Sequence, residues 1–347
     1  MKTHHLIIGL LFVLLVATMS SCNPSATLAK ATGFPYEIIV VMEKHFWDQE
    51  AGAAIKGELQ SAIPGLPQIE PAFKITYATP EQFDGLLTYV KNILIVNINS
   101  SMYTKTSFSY ERDRWAQGQV VATLNAPDTE SFTAYMHENK NSLTKFFTEI
   151  EMKRTGALLE KSYSVMVMDS VRKLFDIMLY VPSDMAYNRV EKDFFWASNN
   201  AKTGRTDLLV YTFPYTDANT FTKEYLIAKR DSVLKINLPG AFPNSYMVTE
   251  TNLEVTYTPI TVRGNYCGVL RGLWKMVGDM MGGPFVSHIR LDEENRRIVV
   301  VEGFVFAPES DKRNFIRRIE AALYTLRLPG ELDQPVVEGS SPVEQAN

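Results

Sequence analysis

The first half of the body of the chain combines strand-like and helix-like apolar patterns. Apolar residues recur at helical spacing after Thr79 and again after Asp128, and each of these residues can cap the first turn of a helix. Residues 34–160 are therefore predicted to form one α+β domain. Runs rich in strand-forming residues predict its strands at 36–42, 93–98 and 119–124.

The same alternation recurs in the second half, assigned to residues 161–329. The last two apolar runs there are joined by a short charged turn, which indicates an antiparallel hairpin. The fold class expected from both halves is α+β, with antiparallel or mixed sheets covered by helices. The predicted strands of this half are 177–181, 208–213, 246–262, 285–291 and 298–306, and its predicted helices are 217–235 and 315–326.

A unit of strand, proline turn, acidic cap and helix occurs three times in the chain. It contains Pro127-Asp128, Pro308-Glu309 and, in a looser form, Pro214 with Asp217. Proline ends a strand because it lacks an amide hydrogen, and the acid caps the helix that follows. Two interpretations remain open, an internal duplication of one domain or repeated use of one capping motif. The shared order of elements favours the duplication.

The amino terminus has the pattern of an export signal. A short basic start precedes an apolar segment at residues 6–17, which is too short to cross a bilayer as a helix. The tripeptide Met-Ser-Ser at 19–21 leads directly into Cys22, and this resembles the lipobox of bacterial lipoproteins. The resemblance implies that residues 1–21 are removed as a signal peptide and that Cys22 is lipidated. The alternative is an ordinary secretion leader with an incidental cysteine.

Small and polar residues at 22–33 predict a flexible tether between Cys22 and the folded body. An acidic cluster after the lipidated cysteine would resemble a surface-export signal, and Asp directly after it would resemble an inner-membrane retention signal. This segment has neither feature. An outer-membrane anchor facing the periplasm is therefore expected. At the other end of the chain, residues 330–347 are rich in Gly, Pro, Ser and Glu and are predicted to be disordered.

Composition, charge and cysteine content exclude some classes of protein. Among 347 residues, 46% are apolar and 21% are charged, which is typical of a globular protein. Lys and Arg number 35 against 39 Asp and Glu, a balance that argues against nucleic-acid binding. Only Cys22 and Cys267 are present, which excludes a disulfide framework and a four-cysteine zinc site. Cys267 is expected to be a small core residue.

Most sequence motifs of common enzyme and metal sites are absent from the chain. It has no HExxH, CxxC, Walker A, GxGxxG or GxSxG pattern. SxxK begins at Ser142, Ser170 and Ser232, and KTG begins at Lys202. In penicillin-binding enzymes SxN and KTG face each other across the active site, whereas here SxN at Ser198 almost adjoins KTG. No catalytic residue or metal ligand is assigned, and no cofactor is expected.

Residues 263–306 contain the densest set of candidate binding residues. Trp and Arg are frequent in recognition sites, and glycines permit close backbone approach. The interpretation we favour is a packed corner of core residues, with an architectural turn at 282–284 that leads into the hairpin. The candidate binding residues are Arg271, Trp274, Asp279, Gly282, Gly283 and His288.

Specific motifs of the second half carry a family resemblance. They are RGLW from Arg271, MGGPFV from Met281, EGFVFAP from Glu302, RDSVLK from Arg230, and SYM from Ser245 with Thr249-Glu250. Together with Trp115, Ala116 and Gln119 in the first half, they resemble DUF4837, an uncharacterised family of Bacteroidetes lipoproteins. The resemblance implies a lipidated envelope protein and supplies no activity, ligand or catalytic residue.

Three functions are compatible with these observations. The leading hypothesis is a non-enzymatic lipoprotein, held at the membrane by its lipid anchor, that binds an envelope protein or glycan. An envelope hydrolase or sugar-processing enzyme with a carboxylate pair is the first alternative. A periplasmic small-molecule carrier with a cleft between the halves is the second.

Overall fold

Two β-sheets, one in each half of the chain, form the framework of the protein. The computed structural model describes residues 28–332. The predicted signal peptide, the predicted lipidation site Cys22 and residues 333–347 of the predicted tail lie outside the described residues. Helices accompany both sheets, so the fold is α+β, as the sequence patterns predict.

The first sheet has five strands: β1 (Glu37–Val41), β2 (Lys74–Ala78), β3 (Asn92–Ile98), β4 (Ser107–Arg112) and β5 (Val120–Ala126). Their order is β2-β1-β3-β5-β4. All neighbours are parallel except β4, which runs antiparallel to β5 at one edge. β1, β3 and β5 are the apolar runs predicted as strands, and they are largely buried, which is typical of central parallel strands.

Four helices of the first half are α1 (Lys44–Trp47), α2 (Glu50–Leu59), α3 (Thr129–Glu138) and α4 (Ser142–Lys161). The predicted cap at Asp128 is confirmed, because its carboxylate accepts a hydrogen bond from the Ser131 amide at 2.8 Å. The predicted helix after Thr79 is wrong. Asp84 is extended and Gly85 has a φ of +51°, so the chain forms only a 3-10 helix, Gly85–Tyr89.

The second sheet has eight strands, and every pair in it is antiparallel. They are β6 (Tyr187–Glu191), β7 (Phe194–Ser198), β8 (Arg205–Pro214), β9 (Tyr246–Thr249), β10 (Thr256–Val262), β11 (Asn265–Val277), β12 (Gly282–Asp292) and β13 (Arg297–Phe306). Their order is β10-β11-β12-β13-β8-β7-β6, and β9 pairs with β11. The predicted hairpin is confirmed as β12 and β13, but 177–181 is not a strand, since Met178 makes only an isolated bridge to Arg327.

Helices cover both faces of the second sheet. They are α5 (Val165–Phe175), α6 (Lys223–Asn237) and α7 (Arg313–Leu323). Side chains of α5 and α7 share one core with Cys267, Val286 and neighbouring strand residues. Side chains of α6 share the other core with Trp274, Phe285 and the other strand face. The sheet therefore has one face toward α5 and α7 and one face toward α6.

The two halves differ in topology. The first sheet is mostly parallel, whereas the second is an antiparallel sheet of consecutive hairpins. A duplicated domain would keep one strand order and direction in both copies. The structure therefore does not support an internal duplication, and the recurring proline-acid unit is a capping motif used more than once. At Pro308-Glu309 the motif does not cap the helix that follows, because Glu309 is exposed and α7 begins only at Arg313.

Glu70 joins the two halves at the start of α7. Its carboxylate accepts hydrogen bonds from the backbone amides of Lys312 and Arg313, each at 2.7 Å. The Arg313 side chain donates in turn to the Pro71 carbonyl at 3.0 Å. Glu70 thus caps a helix that lies more than 240 residues away in sequence, and it is buried in doing so.

Both ends of the described chain are bound to the body. Backbone hydrogen bonds join residues 29–31 to Gln117 and Thr32 to Tyr89 and Lys91, within the segment predicted as a tether. Glu331, within the segment predicted as a tail, is buried and ion-paired with Arg290. Between residues 28 and 332, no helix is long and apolar enough to cross a membrane.

Candidate functional site

Strand pairing brings two of the predicted site residues, Arg271 and His288, to the α7 face of the second sheet. Val269 on β11 lies opposite His288 on β12, and Arg271 lies opposite Val286. Cross-strand partners share a face, as do residues two apart on one strand, so Arg271 and His288 point the same way. Gly303 on β13 lets α7 approach, since a Cβ there would lie 2.6 Å from the Ile319 side chain.

Glu320 on α7 is the centre of this buried charge cluster. Its carboxylate is ion-paired with Arg271 and accepts a hydrogen bond from Arg317 at 3.3 Å. The side chain is 1% exposed. Burial alone would raise the pKa of Glu320, but the charges of Arg271 and Arg317 outweigh it and lower the pKa to about 2. Glu320 is therefore a fixed carboxylate at neutral pH.

His288 lies beside this cluster as a neutral side chain. Its ring meets the Tyr324 ring edge-on, with 4.6 Å between centroids. Its Nε2 has no hydrogen-bond partner among the described residues. Burial disfavours the imidazolium and lowers the pKa of His288 to about 3. Burial likewise raises the pKa of the nearby Cys267 thiol to about 12.

The cluster has fixed protonation states around pH 7, so it is unsuited to general acid or base chemistry there. It contributes instead to the junction between the halves. Arg317 stacks over the ring of Tyr36, which precedes β1, with 5.8 Å to the centroid. The charge cluster therefore lies where α7 meets the first half, and it holds the two halves in one arrangement.

A second buried network lies on the opposite face of the sheet, toward α6. Arg230 of α6 and Glu302 of β13 are each fully buried. The guanidinium donates to both carboxylate oxygens of Glu302, at distances of 2.8 to 3.1 Å. Such a two-pronged pair has the strongest geometry available to an arginine and a carboxylate. It joins α6 to the centre of the sheet.

Neighbouring side chains satisfy the remaining polar atoms of this pair. Ser287 donates to Glu302 at 2.6 Å, and Arg230 donates to the Thr249 hydroxyl at 2.9 Å. Thr249 then donates to Asp231 at 2.7 Å. The guanidinium also lies 3.8 Å from the centroid of the Phe285 ring. The network is buried except at Asp231, whose side chain is 28% exposed.

The remaining predicted site residues do not join either network. Trp274 is buried on the α6 face, where its indole nitrogen donates to the Val305 carbonyl at 3.2 Å. Arg271 and Trp274 are therefore on opposite faces and do not frame one pocket. Asp279 lies in the β11–β12 turn, where its carboxylate accepts from the Met280 amide at 2.6 Å.

Gly282 and Gly283 are the first residues of β12, not a turn as predicted. Neither has a positive φ, and the left-handed glycine of the turn is Gly278. Gly283 is required by close approach, because a Cβ there would lie 2.0 Å from the Val305 carbonyl oxygen. The prediction of an architectural role holds for Gly283, but its cause is crowding by β13.

Sequence reasoning assigned no role to Arg230, Glu302, Glu320 or Glu70. One signal was available, since Glu302 is a single charge within an apolar strand, and a buried charge requires a partner. The sequence does not show which residue is that partner. Arg230 lies 72 residues before Glu302, on a helix whose placement depends on the whole sheet.

An exposed apolar surface lies at the end of the second sheet where β9 meets the β11–β12 turn. We call it the hairpin-tip surface and define it by Phe242 and Met280, which are 59% and 101% exposed. The loops that carry Phe242 and Met280 adjoin through Ser245. Ser245 exchanges hydrogen bonds with the Phe242 backbone, and a Cβ on Gly278 would lie 3.4 Å from its side chain.

Comparisons with known proteins find two family models and a weak structural likeness. Residues 31–160 match the domain of unknown function DUF8532, and residues 164–325 match the domain of unknown function DUF4837. Trp115, Ala116 and Gln119 fall within the first of these regions. No curated protein matches the chain.

Among solved structures, the Ran-binding protein Mog1p of Saccharomyces cerevisiae is 11% identical, with a TM-score of 0.31. The alignment covers 44% of this chain and 90% of that one. We draw neither fold nor function from so low a similarity. The family match is the stronger finding, because it spans the second sheet and both of its buried networks. Residues 164–325 match the DUF4837 family model, in agreement with the family that the motifs of the second half resemble.

Proposed function

We propose that this protein is a lipid-anchored, non-enzymatic binding module of the cell envelope, and that it faces the periplasm. The anchor is supported by the leader pattern that ends at Cys22. The partner we propose is another envelope protein, bound at the hairpin-tip surface. That surface is the single observation that carries the binding role.

The chemistry of the buried groups supports binding over catalysis. Glu302, Glu320 and Glu331 are each ion-paired with an arginine inside the protein. Burial raises the pKa of Glu320 and Glu331, but the arginine beside each carboxylate outweighs it and lowers the pKa, so both are poor proton donors at neutral pH. These groups stabilise the positions of α6, α7 and the last described residues relative to the second sheet.

The hairpin-tip surface has the composition of a protein-binding site. Phe and Met are enriched at protein interfaces, and Met adapts its shape to a partner. Phe242 and Met280 project from loops next to an ordered part of the sheet. There, Met247 of β9 pairs with Met276 of β11, and both are buried in the α6 core. A partner that covers Phe242 and Met280 would remove apolar surface from water, which is favourable.

Site-specific photo-crosslinking in intact cells tests this role. A photoreactive amino acid is placed at residue 242 or residue 280 of the full-length protein, and at exposed Leu158 of α4 as a matched control. We expect one discrete crosslinked species from the two tip positions and none of that mass from position 158. Phe242→Ser should abolish the crosslink from position 280. The proposal is contradicted by equal crosslinking from all three positions, or by none from the tip.

A further inference from the structure

A second exposed apolar surface surrounds the point where the chain enters the first half. Leu28, Phe34, Leu86 and Tyr89 are 43%, 73%, 86% and 38% exposed. They lie before β1 and before β3, at the end of the first sheet where its parallel strands begin. We call these four residues the amino-terminal rim.

Backbone contacts hold the parts of the rim together. The Thr32 amide donates to the Tyr89 carbonyl at 2.8 Å, and the Lys91 amide donates to the Thr32 carbonyl at 3.0 Å. Lys91 also donates through Nζ to the Gly33 carbonyl at 3.0 Å. The segment that contains Leu28 and Phe34 is therefore fixed beside the loop that contains Tyr89.

The loop with Leu86 and Tyr89 is itself rigidly supported. These two residues are three apart in a 3-10 helix, so their side chains lie on the same side. Gln119 is buried, and its amide nitrogen donates to the carbonyls of Thr88 and Val90 at 2.6 and 2.7 Å. When an ordered backbone holds apolar side chains in an exposed position, the surface they form is typical of a site that contacts a protein or a membrane.

We propose that the amino-terminal rim docks on the lipid surface in which Cys22 is anchored. This inference rests on the proposed lipidation of Cys22. Ala29 is the first described residue with a backbone hydrogen bond to the body, because its carbonyl accepts from the Gln117 amide at 2.8 Å. Six residues, 23–28, separate it from Cys22. Even a fully extended chain spans at most about 3.5 Å per residue, so the rim stays within roughly 25 Å of the acyl chains.

The side chains of the rim suit the boundary between water and lipid. Leucine and aromatic residues enter the region of the headgroups, and tyrosine places its hydroxyl toward water. The charges on the same end of the sheet are mixed. Lys30, Lys91 and Arg114 are accompanied by Asp84 and Glu111. The contact is therefore expected to depend on apolar insertion more than on the charge of the lipids.

Lipid quenching of a site-specific fluorophore tests the docking. The natively lipidated protein carries Leu86→Cys or, as a matched control, Met280→Cys, each labelled with a polarity-sensitive dye. Cys267 is fully buried and should not react. The proteins are reconstituted in vesicles of phosphatidylethanolamine and phosphatidylglycerol that contain brominated acyl chains. We expect at least a threefold greater quenching at position 86 than at position 280, and Phe34→Ser with Tyr89→Ser should reduce it to the control level.

A second arm separates failure of the docking from failure of the anchor. A Cys22→Ser chain that begins at residue 22 is attached to the same vesicles by an amino-terminal histidine tag and a nickel-chelating lipid. The same excess of quenching at position 86 supports the rim independently of native lipidation. Equal, weak quenching at positions 86 and 280 in both arms overturns the docking and leaves the anchor untouched. Quenching at position 86 that requires an added envelope protein also overturns it, because the rim would then be a protein-binding surface.

Discussion

Glu302 interrupts a run of valines and aromatic residues on β13, and such a position tolerates a carboxylate only with a paired cation. Arg230 supplies that cation from α6, and two further side chains, Ser287 and Thr249, satisfy polar atoms that the pair leaves over. The pair therefore affects the position of α6 as well as the stability of the fold. Moving α6 on the sheet would leave both charges buried without a partner, which is costly, so the pair constrains the position of α6.

Removing one member of the pair should cost more than removing both. Glu302→Leu leaves the Arg230 guanidinium buried without its partner, and we expect a loss of about 3–5 kcal/mol in the free energy of unfolding. The double variant Arg230→Met, Glu302→Leu should recover a large part of that loss. Urea denaturation of the two single variants and the double variant measures this coupling. A double variant whose loss equals the sum of the single losses would show that the pair does not act as a unit.

Trp274 is core, so its truncation should reduce stability. Its ring is buried against Phe304, with 5.4 Å between centroids. Trp274→Ala should lower the free energy of unfolding by roughly 3–5 kcal/mol, because it removes a large apolar side chain and leaves a cavity. Met280→Ala, at a fully exposed residue of the same hairpin, should change it by less than about 0.5 kcal/mol. An unchanged melting temperature of Trp274→Ala with lost partner capture would make Trp274 a binding residue.

His288 and Glu320 should make the protein less stable as the pH falls. Burial lowers the pKa of His288 from 6.5 to about 3, so between these values the unfolded chain binds the extra proton. This contribution is complete above pH 6.5 and decreases toward pH 3. Glu320, whose pKa falls from 4.5 to about 2, adds a further loss below pH 4.5. The slope from one such group approaches about 1.4 kcal/mol per pH unit.

The variant His288→Phe isolates the first of these two pH windows. It should flatten the dependence of stability on pH between about 6.5 and 5, as measured by urea denaturation at several pH values. His137→Gln, at an exposed residue of α3, is the control and should keep the wild-type slope. Identical slopes in all three proteins would mean that protonation of His288 does not differ between the folded and unfolded chains.

Elements with a strong local pattern were predictable, and elements defined by distant contacts were not. β1, β3, β12 and β13 are runs of apolar residues long enough to be recognised without structure. The edge strands β4 and β6 escaped prediction, because most of their side chains are exposed and polar and each strand has only two apolar residues. The sequence likewise offers no sign that α7 is capped by the first half.

The cap of α7 gives the clearest test of long-range control over an element. Glu70→Ala removes the acceptor for the Lys312 and Arg313 amides, and we expect a loss of about 1–2 kcal/mol in the free energy of unfolding. Glu309→Ala, at the acid that the sequence motif suggested as the cap, should change stability by less than about 0.5 kcal/mol. Thermal and urea denaturation compare the two. Equal losses would mean that Glu309 caps the helix in solution.

The whole molecule is a pair of unlike sheets fixed to one another by charged contacts. The charge cluster around Glu320 and the cap from Glu70 both lie where α7 meets the first half. Two of the six predicted site residues, Arg271 and His288, come together there, and neither lies in an exposed groove. Their convergence depends on strand register and on the position of α7, which no single sequence encodes locally. The two exposed apolar surfaces, the hairpin-tip surface and the amino-terminal rim, are better placed to meet partners than any buried group.

Lipidation of Cys22 is the central claim, because both the envelope location and the docking of the rim depend on it. Metabolic labelling with a palmitate analogue, in cells that produce the native protein or Cys22→Ser, measures it directly. We predict that the native protein takes up the label and fractionates with the outer membrane, and that Cys22→Ser takes up none and keeps its leader or is cleaved elsewhere. A Cys22→Ser protein that is still labelled and still found in the outer membrane would contradict the account.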